Sequence, residues 1–133
     1  MTTADSKTDL RVVLATIDCE ANAIAAGDRN AYFAVLTDDA VFMPPDAPPK
    51  QGAELRGWLD EFLRSVSVQW LSFTHDDTVV AGDLSCHAFT CSWRVTPKAG
   101  GASRVLQFKG LHVLRRDADG AWKIQREIWN TNP

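Results

Sequence analysis

The chain of 133 residues fits one domain with a proper hydrophobic core, and its 45% hydrophobic and 23% charged residues are those of an ordinary globular protein. A net charge of −3, with Lys and Arg scattered rather than striped, argues against a nucleic-acid partner. No apolar run reaches membrane-spanning length, and the opening Met1-Thr2-Thr3-Ala4-Asp5-Ser6-Lys7 lacks the apolar stretch of a secretion signal, so a cytoplasmic location is expected.

Residues 1–8 read as a disordered polar arm, and residues 9–133 as a single domain. From Asp9 the apolar residues Leu10, Val13, Ile17, Ala21 and Ile24 recur at three- and four-residue steps, the stripe of an amphipathic helix. Gly27 suits the left-handed cap that ends it, and Asp28 suits the N-cap of a short second helix over 30–36 that buries Phe33 and Leu36. Residues 40–43 read as extended. Pro44-Pro45-Asp46-Ala47-Pro48-Pro49 then forms a stiff loop, which belongs neither in a helix interior nor in a central strand. A third helix is predicted over 53–65, with Leu55, Trp58, Leu59, Phe62 and Val66 as its stripe.

The remainder reads as strand: 68–76, 78–80, 85–96, 104–115 and 122–130, broken at Asp76-Asp77, Gly82-Asp83, 97–102 and 117–120. Asp119-Gly120 between two alternating runs is a strong hairpin signal. Three helices followed by an antiparallel meander make an α+β domain, with the helices packed on the concave face of a curved sheet. An apolar convex face would need a partner, commonly an identical subunit. Cys19, Cys86 and Cys91 show no paired framework and read as buried reduced thiols. His75, His87 and His112 have no ligand spacing, so no metal is expected. Arg115-Arg116 reads as a solvated hairpin end. Five tryptophans require a large buried aromatic area in a core, a cavity or an interface.

Ala26-Gly27-Asp28, then Leu36-Thr37-Asp38-Asp39-Ala40-Val41-Phe42-Met43-Pro44-Pro45, then Pro48-Pro49-Lys50-Gln51-Gly52 resemble the SnoaL-like proteins of the nuclear-transport-factor-2-like (NTF2-like) superfamily. The ending, Asp119-Gly120-Ala121-Trp122-Lys123-Ile124 with Glu127-Ile128-Trp129-Asn130, resembles its DUF4440-type members. The resemblance implies a cone-shaped α+β half-barrel with three N-terminal helices on a curved, mainly antiparallel sheet. It also implies a pocket between helices and sheet, and a homodimer formed through the sheet. The superfamily holds cofactor-free cyclases, dehydratases and isomerases alongside binding and assembly modules, so the fold does not choose the function.

Alternation sets Lys123, Gln125, Glu127 and Trp129 on one strand face and Trp122, Ile124, Arg126 and Ile128 on the other. Composition alone would put the second set in the core. The resemblance puts Trp129 in the pocket, which leaves Trp122, Ile124 and Ile128 facing a partner. His112, sharing a face with Phe108 and Gly110, falls where the isomerases keep a protonated aspartic acid, and Glu127 is its neighbour on the paired strand. Glu20, at the edge of the first helix's stripe, takes the place of the isomerases' oxyanion-hole tyrosine.

Each assignment has a plainer counterpart: a His–Glu bond that merely closes the barrel, and a Glu20 that reaches solvent. The catalytic candidates are thus His112, Glu127 and Glu20. The candidate walls are Trp58, Phe62, Phe89, Trp93, Phe108 and Trp129, which would otherwise be ordinary core. No carboxylate stands at the isomerases' general-base position beside Pro44-Pro45, and this argues against a steroid isomerase. The expected function is a pocket for a small, mostly apolar molecule, with acid–base chemistry of cyclase, dehydratase or isomerase type and no cofactor or metal. The alternative is a non-catalytic binding or dimeric assembly module.

Overall fold

The computed structural model describes residues 3–133, with side chains from Lys7 onward. Helix α1 spans Thr3–Ala26, α2 Arg29–Ala34 and α3 Gly52–Ser65. The strands are β1 Leu36–Met43, β2 Lys50–Gln51, β3 Val66–Ala81, β4 Leu84–Pro97, β5 Arg104–Arg116 and β6 Trp122–Thr131. They form one sheet in the order β2-β1-β6-β5-β4-β3, antiparallel except where β1 runs parallel to β6. This is the expected α+β architecture. Among the described residues no helix is long and apolar enough to cross a membrane.

Of the arm expected over residues 1–8, the first two residues lie outside the described ones, and from Thr3 the backbone is already helical. No glycine or proline between Thr3 and Asp9 interrupts the helix. Val13, Ile17, Ala23 and Ile24 carry the buried stripe of α1, while Leu10 is exposed. At its end Gly27 takes φ 66°, and the amide of Asp28 donates to Ala23 O at 2.9 Å. The Asp28 carboxylate then accepts from the Ala31 amide at 3.0 Å and starts α2. In α3 the deepest residues are Leu55, Leu59 and Leu63, and Trp58 and Phe62 pack beside them only half-buried.

Besides a register shift between Leu36 and Val41 where β1 meets β6, three bulges shape the antiparallel part of the sheet. In β3 the pairing with β4 skips one residue between Trp70 and Ser72 and another between His75 and Asp77. The expected strand break at Asp76-Asp77 is therefore a bulge inside one continuous strand, which bends the sheet and keeps Trp70, Phe73 and His75 on its concave side. The third bulge lies in β6: Val113 pairs with Arg126 and Leu114 with Ile124, leaving Gln125 unpaired against β5.

That extra residue corrects the expected faces of β6. Trp122 and Ile124 do not face a partner; they are 3% and 0% exposed in the core beneath α1. Strict alternation would then send Glu127 and Trp129 outward, but the bulge resets the parity and returns both to the concave side. Ile128 does lie on the outer face, 39% exposed.

Two smaller expectations also change. Arg116 is not a solvated end: its guanidinium donates to Asp9 Oδ1 at 2.8 Å and Asp83 Oδ1 at 3.0 Å, and lies over the Trp122 ring. Asp9 also accepts from Trp122 Nε1, so one buried carboxylate clamps α1 to the β5–β6 hairpin. All three cysteines are free, but only Cys91 is buried, because Cys86 sits on the outward parity of β4 and Cys19 on the solvent side of α1.

Candidate functional site

Between the helices and the concave face lies a cavity of about 340 Å³, at the lower end of the ~300–1,000 Å³ typical of small-molecule sites. Trp58 and Phe62 reach it from α3, Phe89 and Trp93 from β4, Phe108 from β5 and Trp129 from β6; all six expected wall residues line it. The aromatic wall is continuous. Trp93 stacks on Phe62 at 5.6 Å between centroids and meets the edge of Phe108 at 5.4 Å, while Trp129 contacts Trp58 and Phe42. Trp70 and Phe73 complete the wall from β3, and Trp70 is fixed by its indole N–H donating to Ala21 O at 2.8 Å.

Gly110 permits this closeness. It pairs with Phe89 on one side and Trp129 on the other, and a Cβ there would meet the Ile128 carbonyl oxygen at 2.4 Å.

The polar end of the cavity comes from three elements. Cross-strand register sets His112 opposite Glu127, and α1 delivers Glu20 from above. His112 Nε2 lies 3.0 Å from Glu20 Oε1 and 2.9 Å from Glu127 Oε1. All three residues are nearly sealed, at 1%, 4% and 8% exposure for His112, Glu20 and Glu127. Glu20 therefore points inward and does not reach solvent past the stripe edge. Glu20 Oε2 finds no hydrogen-bond partner among the described residues, while Glu127 Oε1 is the oxygen that faces the His112 ring. Two carboxyl groups thus converge on one imidazole nitrogen, and Glu20 keeps a second oxygen without a partner.

Their environments separate the two carboxyls. Burial, reinforced by the charge of Glu127, pushes Glu20 up to about 8. Burial would raise Glu127 too, but the His112 charge and hydrogen bond outweigh it and hold that carboxyl below its usual range. Burial pulls His112 down, yet the charges of Glu127 and then Glu20 win and lift it to about 10. These directions favour a carboxylic acid at Glu20, a carboxylate at Glu127 and an imidazolium at His112 near neutral pH.

Tyr32 of α2, not singled out in the sequence, lines the same end of the cavity. Burial first, then the charges of Glu20 and Glu127, keep its phenol firmly protonated. Its signal was weak, because α2 is only six residues long and shows no periodic stripe.

The donor atoms of Glu20, His112 and Glu127 lie within 4.8 Å of one another, a spacing that a metal ion could span. The chemistry favours a proton. An imidazole held protonated by two carboxyls offers no lone pair to a metal, and a cation would have to displace that proton from Nε2.

His75 and His87 belong to the same assembly: His87 Nδ1 lies 3.0 Å from His112 Nδ1, and His75 Nδ1 lies 2.7 Å from His87 Nε2. His87 is fully buried. Its parity in β4 matches that of Phe89 and Trp93, so the alternation that put those two on the wall also put His87 there.

By contrast, Asp46, the nearest carboxylate in sequence to the isomerases' base position, is exposed and is not among the cavity residues, whereas Pro44 and Pro45 are.

Comparison with solved structures returns the same fold. A ketosteroid isomerase-like protein from Erwinia carotovora atroseptica superposes with a TM-score of 0.85 at 25% identity, covering 94% of this chain and 98% of that one. A conserved protein from Planctomyces limnophilus gives a TM-score of 0.86 at 23% identity, over 95% and 99% of the two chains. An NTF2-like superfamily protein from Salmonella enterica gives 0.81 at 11% identity, over 99% and 94%. Comparison with functionally curated proteins returns no match. The SnoaL-like domain profile fits residues 20–125, most of the chain, so the protein belongs to the SnoaL-like family, within the NTF2-like fold.

Proposed function

We propose that the cavity binds a small, mostly apolar molecule bearing one reactive oxygen, and that Glu20 and Glu127 move protons on it without a cofactor. One observation carries the reading: two buried carboxyls share a single imidazole nitrogen at the end of an aromatic cavity, and Glu20 keeps an oxygen that the protein leaves unsatisfied. A dry core would not retain such groups, because unsatisfied buried polar atoms cost about 1–3 kcal/mol each.

In this scheme Glu127, the carboxylate, takes a proton from carbon beside a carbonyl. Glu20, the carboxylic acid, gives its proton to the carbonyl oxygen. Paired carboxyls whose surroundings drive their protonation apart are suited to these two roles. The substrate becomes an enol with no net change in proton count. The site is left with Glu127 protonated and Glu20 ionised, and returning a proton at another carbon completes an isomerisation. Loss of a β-hydroxyl, with Glu20 protonating the leaving oxygen, would make the same site a dehydratase. His112 has both ring nitrogens engaged, so it acts through the carboxyls as a positioning residue. The ketosteroid isomerase-like relative supports the class of chemistry. The empty base position beside Pro44 and Pro45 speaks against the steroid reaction itself.

The test is proton exchange. A panel of compact ketones, 2-tetralone among them, is incubated with the protein in D2O, and α-carbon deuteration is followed by NMR. Binding is read separately from the fluorescence of Trp58, Trp70, Trp93 and Trp129, which all line the cavity. Deuteration that falls at least a hundredfold in Glu127→Gln, with binding kept, supports the scheme. Binding without deuteration by the unaltered protein would make the chain a binding module instead.

For the outer face we propose self-association. Leu111 and Ile128 are cross-strand neighbours there and are 41% and 39% exposed, which gives an identical subunit an apolar row to cover.

A further inference from the structure

The three histidines, widely separated in sequence, form one line of rings running from the sealed site to the surface. His112 Nδ1 meets His87 Nδ1 at 3.0 Å, His87 Nε2 meets His75 Nδ1 at 2.7 Å, and His75 Nε2 meets Asp18 Oδ1 at 3.2 Å. At the inner end His112 Nε2 meets Glu20 and Glu127. Every ring nitrogen is engaged. His112 and His87 are buried, whereas the His75 side chain is 30% exposed and that of Asp18 is 62% exposed. Phe73 and Phe89 lie parallel to the His87 ring on the cavity side. The charged and titratable groups facing the line are Glu20 and Asp18 from α1, Tyr32 from α2 and Glu127 from β6.

We propose that His75 and His87 are a proton relay, joining the acid–base pair at His112 to solvent beside Asp18 by a route separate from the mouth of the cavity.

Proton counting supports this. Each end nitrogen faces a carboxylate, so both His112 Nε2 and His75 Nε2 must carry hydrogen. Each of the two inner contacts needs one hydrogen between its two nitrogens. The four contacts therefore require four protons, whereas three neutral imidazoles carry three. The line holds one excess proton, and its contacts are satisfied wherever that proton sits.

With the proton on His112, Nδ1–H donates to His87 Nδ1, and His87 Nε2–H donates to His75 Nδ1. One concerted shift moves the first hydrogen to His87 and the second to His75. No bond to carbon changes, His87 exchanges one tautomer for the other, and the excess charge has crossed to the surface, where His75 Nε2–H can pass to Asp18 or water. The reverse shift restores the starting tautomer.

The cost of burying charge on His87 makes the shift concerted in either direction. Burial, with the neighbouring His112 and His75 charges, drives His87 down to about 3, so it transmits the proton without keeping it. A site closed over an apolar ligand cannot exchange protons through its mouth, and the relay supplies that exchange.

The inference rests on reading His112 as the partner of an acid–base pair, but its test needs no turnover, so the two can fail separately. In protein labelled with 15N-histidine, the exchange of the His112 ring N–H with water is measured by NMR. His75→Phe and His75→Ala change only the half-exposed end of the line. Both should slow His112 exchange at least tenfold. Free imidazole in the buffer should restore it in His75→Ala, where there is room for the ring, and not in His75→Phe, where the place is filled. His87→Phe should slow exchange as strongly in folded protein. Should His87→Phe fail to fold, the His75 pair decides alone. Exchange unchanged in both His75 variants, or slowed without selective rescue by imidazole, would overturn the relay and leave the histidines a structural ladder.

Discussion

Gly110→Ala adds one methyl group where β5 lies between Phe89 of β4 and Trp129 of β6. The new Cβ would stand 2.4 Å from the Ile128 carbonyl oxygen, 2.8 Å from Phe89 Cζ and 2.9 Å from Trp129 Cβ. Ordinary contact begins near 3.4 Å, so the carbonyl must retreat by about 1 Å. It cannot do so alone, because Ile128 is paired to Leu111 on one side and to Met43 on the other. Moving it means moving β6, and with it Glu127 and Trp129. Overpacking of this kind costs about 1–3 kcal/mol, and a clash with paired backbone belongs at the upper end.

For a chain of this size about 3 kcal/mol lowers Tm by roughly 10 °C. Gly57→Ala is the control. Gly57 lies inside α3 with nothing within 4 Å of its would-be Cβ, so the same substitution should stabilise by about 0.5–1 kcal/mol. Thermal melts followed by circular dichroism read both. A Gly110→Ala melt within about 2 °C of the unaltered protein would refute the close approach of β5 and β6, and with it the tight packing of the aromatic wall.

Three further outcomes are expected. Glu20 and His112 are both raised in the folded state, from 4.5 to about 8 and from 6.5 to about 10, so each binds protons more tightly folded than unfolded. Their stabilisation is complete below pH 4.5 and 6.5 and is lost as pH rises through about 8 and about 10; Glu127, lowered, contributes the opposite slope only on acidification. Tm should therefore fall from pH 6 to 9, and Glu20→Gln should flatten the part below pH 8; parallel curves for the two proteins would refute the assignment. Deleting Gln125 should turn Glu127 and Trp129 to the outer face, so cooperative melting should be lost or the cavity tryptophans should become exposed to acrylamide quenching; a native-like melt and spectrum would show that the bulge does not set parity. Leu111→Lys should abolish the self-association proposed for the outer face, read by sedimentation velocity, without lowering monomer stability, since Leu111 is 41% exposed; an unaltered protein that sediments as a monomer, or a variant that self-associates equally, would exclude this face as an interface.

Periodicity made the helices and long strands legible, because one face of each is buried against the other layer. The cavity wall was legible for the same reason: Phe89 and Trp93 share a parity, as do Phe108 and His112. The faces of β6 were not. Composition placed Trp122 and Ile124 inside, and resemblance placed Glu127 and Trp129 inside; strict alternation made these statements contradict each other, while the structure satisfies both by spending Gln125 on a bulge. Gln125 carries no local mark of that role, being neither Gly nor Pro. The histidine line was hidden differently. His87 and His112 become neighbours only through the β4–β5 register, and His75 joins them across a strand interrupted by two bulges, so no spacing along the chain encodes the contact. His87 alone was recoverable, from its parity with Phe89.

The chain buries two carboxyls and two imidazoles in a wall otherwise built of aromatic rings, an arrangement that should be costly. The cost is limited because the charges compensate. Glu20 is neutral at neutral pH, so the charge left at the inner end is one carboxylate, Glu127, facing one imidazolium, His112. That imidazolium is the same excess proton the histidine line needs to satisfy its four contacts. One proton therefore balances Glu127 and completes the hydrogen bonding of the rings. When it moves outward along the line, Glu127 loses its counter-charge and becomes a stronger base toward a bound molecule. When it returns, Glu127 is quenched. The basicity of the site is thus coupled to the position of one proton, and the buried histidines are the element that lets that position change without opening the cavity.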